Sequence, residues 1–271
     1  MYDLYWALKD HKRIDRRTKE LDFYRALLEG FHKGDAVFDI GANVGEKTDV
    51  FLRLGAEVLA VEPDDTCRKI LKEKFLSYRL RPKHLALLGK AVSDTVAIKT
   101  MWIDGPGSAL NTLSNKWVDT LKANKARFEH TRCRFEFRQH RELETTTLDE
   151  LILAHGAPFF VKIDVEGHEA SVLRGLHCPV PYISFEVNLP EFRLEGHECI
   201  HLLNALATDG QFNYTANCQN GLLLRDWVDD SCMHRLLDEC REPSVEVFWT
   251  SANHRHHNSR KGAVPRAQCA H

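Results

Sequence analysis

The chain has 271 residues with 37 Lys and Arg against 39 Asp and Glu, so its formal net charge is −2. That balance argues against a generic nucleic-acid binder, which carries a basic excess. A hydrophobic content of 43% with 28% charged residues excludes global disorder and fills one or two domains, and with 15 Gly, 9 Pro and no repeat at solenoid periods, collagen-like and repeat architectures are excluded too.

From Leu4 to Phe31 the pattern is charged and helical, with Phe23, Tyr24, Leu27 and Leu28 able to form one apolar stripe. The charged run Lys9 to Arg17 falls where a secretory signal would place its apolar region. Uncharged stretches such as Leu151 to Val161 are about half the ~20 apolar residues of a bilayer span. The expected location is therefore cytoplasmic. The 8 cysteines form no C-x-x-C pair and are read as reduced thiols.

Lys33-Gly34-Asp35 breaks the leading helix, and Ala36 to Ile40 is a short apolar strand entering a glycine turn. Val44 to Leu54 has helical spacing and stops at Gly55; Glu57 to Val61 reads as a second strand, Asp64 to Phe75 as a helix, and Leu85 to Val92 and Val96 to Trp102 as strands. The alternation favours parallel α/β. Gly105 to Ser114 is a loop, either part of a substrate lid or a plain polar connection, and Arg134 to His140 alternates like an exposed edge strand. Thr147 and Glu150 have capping-box spacing, which predicts a helix over Leu148 to Ala154. Phe159 to Ile163 and Tyr182 to Val187 are strands, Glu169 to Arg174 and His197 to Ala207 helices, and late strands near Phe212 to Ala216 and Val245 to Trp249 finish the sheet. After Ser251 the chain carries His254, His256, His257, Arg260, Lys261 and Arg266 without an acid, which predicts a disordered basic tail over 251–271. A helical leader over 1–35 and one α/β domain over 36–250 complete the division.

Two segments carry chemistry. Asp39-Ile40-Gly41-Ala42-Asn43-Val44-Gly45 lies where the first strand turns into a helix, and Glu62 follows the second strand 17 residues after Gly45. Glycines let a backbone approach a ligand, a helix amino terminus offers free N–H groups, and a carboxylate ending the second strand can hold ribose hydroxyls. The spacing G-x-x-x-G disfavours a nicotinamide dinucleotide, and without a following G-K-[ST] a P-loop is excluded. The second segment places Asp164, Glu166, His168 and Glu169 at the carboxyl end of a central strand, where open α/β sheets bind ligands.

The blocks Phe38 to Gly45, Val61-Glu62-Pro63, Ala91-Val92-Ser93-Asp94, Thr147-Leu148-Asp149 and Val161-Lys162-Ile163-Asp164-Val165-Glu166-Gly167-His168-Glu169 resemble the FkbM family of S-adenosylmethionine-dependent methyltransferases, in family order from about Tyr24 to about Trp249. No family pattern is visible beyond Ser251. The resemblance implies an α/β class I methyltransferase (Rossmann-like) fold, a seven-stranded, mostly parallel sheet flanked by helices with an antiparallel last strand. It further implies that Asp39, Gly41, Asn43 and Gly45 surround the methionine part of S-adenosyl-L-methionine. Glu62 would hold the ribose, and Ser93 and Asp94 would lie near the adenine. For a hydroxyl substrate, the acidic block gives Asp164 the expected role of orienting cofactor or substrate.

Methyl transfer to a hydroxyl needs an in-line approach and a nearby base. Among Asp164, Glu166 and His168, the expected base is His168 or Glu166. A carboxylate of the block could instead cap the following helix. A divalent metal on Asp164, Glu166 and His168 is the weaker reading, and no metal is expected. Glu186, an acid in an apolar strand, is a second candidate site residue. The acceptor implied is a small molecule or glycan, without nucleic acid or a membrane span. His197-Glu198-Cys199-Ile200-His201 satisfies H-E-x-x-H, the competing signature of a zinc-dependent hydrolase. A non-catalytic cofactor-binding homologue is the third alternative.

Overall fold

The computed structural model describes residues 11–80, 84–124 and 136–251, with side chains from residue 15 onward. Helix α1 (His11–Leu27) leads into β1 (Ala36–Ile40), α2 (Glu46–Leu54), β2 (Glu57–Val61), α3 (Asp65–Lys74), the short α4 (Leu76–Arg79) and β3 (Leu85–Leu88). There follow β4 (Ala91–Val92), β5 (Ile98–Ile103), α5 (Asn115–Ala123), β6 (Gln139–Thr146), α6 (Leu148–His155), β7 (Phe160–Ile163) and α7 (Glu169–Arg174). The chain closes with β8 (Tyr182–Asn188), α8 (Arg193–Leu206), β9 (Gly210–Thr215), α9 (Asp230–Glu239) and β10 (Ser244–Ser251).

Short runs of buried apolar residues form the central strands because both their faces are covered by helices, as parallel sheets require. The seven-stranded sheet has the order β3-β2-β1-β7-β8-β10-β9. Its first five strands are parallel, and β10 runs antiparallel to both β8 and β9. This is the class I methyltransferase sheet. The register aligns Ile40 with Val61 and Ile163, and Ser244 with Asn188. One edge of the sheet therefore carries the ends of β1, β2, β7 and β8 together with the start of β10. On one face, Tyr24 and Leu27 of α1 and Leu28 just after it pack with Phe51, Phe160 and Phe248, the Tyr24 and Phe51 ring centroids 5.1 Å apart. The other face packs against Leu148, Leu173, Leu203 and Leu237, from α6 to α9.

Several elements depart from the sequence pattern. The strand expected over Leu85 to Val92 is two strands: β3 pairs with β2, whereas Ala91 and Val92 leave the main sheet to pair with Thr145 and Thr146. The strand expected over Arg134 to His140 is β6 instead, because pairing with β5 begins at Gln139 opposite Ile103 and Phe137 has a left-handed φ of 42°. Residues 134 and 135 lie outside the described ones, as does the tail from 252 onward. Helix α8 begins four residues before His197, and helices α5 and α9 occupy segments where the pattern indicated no element.

Candidate functional site

The turn after β1 is built from left-handed residues: Gly41 (φ 81°), Asn43 (φ 48°) and Gly45 (φ 76°). Glycine is required at 41 twice over, since a Cβ there would also sit 1.8 Å from the carbonyl oxygen of Asp164. Asn43 adopts the same region more readily than most side chains do. Glu62 clamps the turn from outside: its Oε2 accepts the Asn43 N–H at 2.8 Å and its Oε1 the Asp64 N–H at 2.7 Å. It is 6% exposed, and burial pushes its carboxyl up to about 7 against the lowering effect of those two bonds. Asp39 lies behind the turn, fully buried, with Oδ2 accepting from Thr48 Oγ1 at 2.6 Å while Oδ1 has no partner. Burial raises its pKa, with Lys162 opposing.

A second turn leaves β7. Lys162, adjacent to Asp39 across the sheet, is 4% exposed and donates to Asp164 Oδ2 at 2.8 Å. Burial works against its charge, but Asp164, Asp39 and Glu246 outweigh it and hold the ammonium protonated. The same ion pair holds the Asp164 carboxyl below its ordinary value despite burial. Glu186 accepts from Ser244 Oγ, and its carboxyl is pushed well up, by burial first and by Asp164 next. Glu166 (φ 54°) and Gly167 (φ 83°) are both left-handed. Glu169 supports them by accepting the Val165 and Gly167 N–H groups on Oε1 at 3.0 and 3.2 Å, and burial raises its carboxyl to about 7. The block thus contains a carboxylate that holds its own loop.

Burial, with Glu186 and Asp164 next, drives the Glu166 carboxyl well above its ordinary value. His168 faces the other way: its Nε2 meets Ser93 Oγ at 2.9 Å, and burial, with Lys99 next, lowers the imidazole to about 4. Asp94 pairs with Lys99, whose hydrogen bond lowers its carboxyl to about 2. Asp164, Glu166 and Glu186 each offer an oxygen within 4.8 Å of the others. His168 is absent from that set; its imidazole is engaged by Ser93.

Two cavities open along this edge. The first is a cleft lined by Gly41, Asn43, Glu62, Asp164, Glu166 and His168, with Val92 and Met101 as apolar walls. The 105–114 loop borders it through Ser108, Asn111 and Thr112, and is tied down where Asn111 Nδ2 donates to Asp64 Oδ2 at 3.2 Å and Thr112 Oγ1 to the Glu166 carbonyl at 2.8 Å. Of the sequence-identified residues, Asp39, Gly45, Ser93 and Asp94 are not on the wall of this cleft. Asp39 and Gly45 shape it from behind, and Ser93 is fully buried against His168.

The second cavity is lined by Glu20, Lys47, Lys162, Asp164, Glu186 and Glu246, among others. Glu246 gathers Ser184 Oγ at 2.8 Å, Cys218 Sγ at 3.1 Å and Tyr24 OH at 3.4 Å. Asp164 is a wall of both cavities. Lys162 and Glu246 were missed in the sequence reading, although each has the signal that singled out Glu186: a charge inside an apolar strand. The H-E-x-x-H residues lie on α8 and line neither cavity. Glu198 pairs with Arg174, and His197 bonds His234 and Asp238 on α9.

Residues 39–211 match the family model described as Methyltransferase FkbM domain. Among solved structures, the chain is similar to a TehB-like SAM-dependent methyltransferase from Corynebacterium glutamicum, with 8% identity over 86% of this chain and 87% of that one and a TM-score of 0.43. It is also similar to a putative RNA methyltransferase from Pyrococcus horikoshii (13% identity, 87% and 82% covered, TM-score 0.41). A third is a putative methyltransferase from Streptococcus mutans in complex with SAH (11% identity, 85% and 94% covered, TM-score 0.40). No curated protein matches the chain in sequence.

Proposed function

The chain belongs to the FkbM methyltransferase family, and on that premise we propose that it transfers a methyl group from S-adenosyl-L-methionine to a hydroxyl of a small molecule or glycan. The first cleft fits this cofactor by its donor set. Each Glu62 oxygen uses one lone pair on a backbone N–H and keeps capacity for a ribose diol. Val92 and Met101 offer an apolar slot for a purine, and Asp164 and Glu166 bring carboxylates to a cationic sulfonium. When bound, the cofactor supplies an electrophilic methyl group.

The observation that carries the reading is the position of Asp164, which faces the cofactor cleft on one side and the second cavity on the other. We assign the second cavity to the acceptor. Its Arg16 and Lys47 cations stand among Glu20, Glu186 and Glu246, a balanced lining that suits neutral hydroxyl groups. Together with the net charge of −2, it provides no positive field for a polyanion. Lys162 fixes Asp164, which orients the acceptor. We assign the hydroxyl proton to Glu166, whose carboxyl oxygen lies within 4.8 Å of those of Asp164 and Glu186, whereas the His168 imidazole is engaged by Ser93. Among the described residues, no helix is long and apolar enough to cross a membrane; a cytoplasmic place of action is part of the proposal.

Calorimetric titration with S-adenosylmethionine and S-adenosylhomocysteine tests the donor half. Micromolar binding that is lost in Glu62→Ala is expected, whereas a folded protein that binds neither overturns the reading. Isotope-labelled methyl incorporation into a panel of hydroxylated acceptors, with wild type against Glu166→Gln, then tests the chemistry.

A further inference from the structure

The H-E-x-x-H segment takes no part in the site described above, yet its first histidine is the centre of a built cluster. Gly196 brings two helices close: a Cβ there would stand 2.9 Å from Leu237 Cδ2 of α9 and from Val187 Cγ1. The next residue, His197, consequently reaches across to α9. Its Nε2 lies 2.9 Å from Asp238 Oδ1, and its Nδ1 lies 2.7 Å from Nδ1 of His234. The rings are 4.9 Å apart with planes inclined by 38°.

The proton count is fixed by the carboxylate. Asp238 only accepts, so His197 donates through Nε2–H and presents a lone pair at Nδ1. Two imidazole Nδ1 atoms thus converge on one point from different helices, with an acid behind one of them. Such a carboxylate–imidazole pair is the arrangement that orients metal-ligating histidines. His234 is partly exposed, so the pair is reachable by an ion from solution. His201, one turn along α8, and Asp230, one turn before His234, also act on His234 electrostatically.

We propose that His197 and His234 form a pincer for a borderline divalent cation, with zinc as the physiological choice among imidazole-preferring metals. Binding requires the proton between the two Nδ1 atoms to move to His234 Nε2, so both imidazoles remain neutral. The nitrogens must also part from 2.7 Å to roughly 3.3 Å, the spacing set by two ~2.0–2.1 Å Zn–N bonds at a tetrahedral angle. Asp238 acts as a positioning residue, and water completes the coordination. The ion staples α8 to α9, and neither histidine lines either of the two cavities described above.

The test uses the full chain with His254, His256 and His257 replaced by Gln, so that tail imidazoles do not contribute. Titration with Zn²⁺ alone should show one site and raise the melting temperature. His234→Gln in that background should weaken binding at least tenfold, and Asp238→Asn, which keeps both ligands, should weaken it about 10- to 100-fold. Equal affinity in His234→Gln and its parent, or no binding by the parent, overturns the proposal. Should His234→Gln fail to fold, electron paramagnetic resonance of Cu²⁺ in the parent decides: coupling to two imidazole nitrogens supports the pincer, and its absence refutes it.

Discussion

The two cavities that share Asp164 are built from different parts of the chain and by different means. Every residue lining the cofactor cleft lies within the family-matched segment 39–211. The second cavity takes Arg16 and Glu20 from before that segment and Cys218, Gln219, Ser244 and Glu246 from after it. Backbone geometry organises the first, through left-handed glycines and N–H groups held by Glu62. A network of side-chain charges around Lys162 and Glu246 organises the second. On the proposed assignment, the donor half is the family framework, and the acceptor half is furnished by what surrounds it.

The largest expected effect breaks the shared wall. Lys162→Met leaves the buried Asp39 and the partly exposed Asp164 without their countercharge; with 35% of the Asp164 side chain exposed, the loss falls below the ~3–5 kcal/mol of a fully buried pair. Chemical denaturation should show that loss, and both cofactor binding and turnover should fall. If stability is unchanged, Lys162 does not hold the two halves together.

A smaller effect sharpens the donor side. Glu62→Gln removes the charge facing the ribose position, so S-adenosylhomocysteine should bind roughly 10- to 100-fold more weakly, the worth of a charged hydrogen bond at about 1.5–3 kcal/mol. Its pH signature has a definite sign. The folded pKa of Glu62, about 7, lies above its ordinary 4.5. Its contribution to stability is therefore complete below pH 4.5 and is lost as pH rises toward 7. Urea melts across that window should give a shallower loss of stability in Glu62→Gln than in wild type; equal slopes would refute the assignment.

The smallest effect on the donor side is the most discriminating. Glu246→Gln lies in the second cavity and reaches the cleft only through Lys162 and Asp164, so cofactor affinity should change less than turnover does. Turnover of the acceptor should drop severalfold in the same variant. Parallel losses in both would mean that the cavities are not separable.

Much of the donor side was legible because its signals are local. The glycine turn, Glu62 after β2 and the acidic block after β7 each lie within a few residues of a strand end. Ser93 and Asp94 lie off the cleft wall because their position depends on pairing with a distant strand: Ser93 N–H bonds the Thr146 carbonyl, and its hydroxyl turns to His168. Helices α5 and α9 were overlooked because each shows only two or three buried apolar residues, although Ser114 and Asp229 cap them through the N–H groups of Trp117 and Cys232. The second cavity was not legible at all, since it joins α1 to β10; Tyr24 and Glu246 meet across 222 positions of sequence.

The placement of β10 also sets an order of events during synthesis. This strand is the last described element, yet it sits inside the sheet between β8 and β9, and β9 has no other strand to bond. A nascent chain emerging from the ribosome at about 5–20 residues per second can assemble the five parallel strands, and with them the glycine turn, first. Glu246 arrives only with β10, so the acceptor cavity closes last. A chain halted before residue 244 would carry a donor half without its partner half.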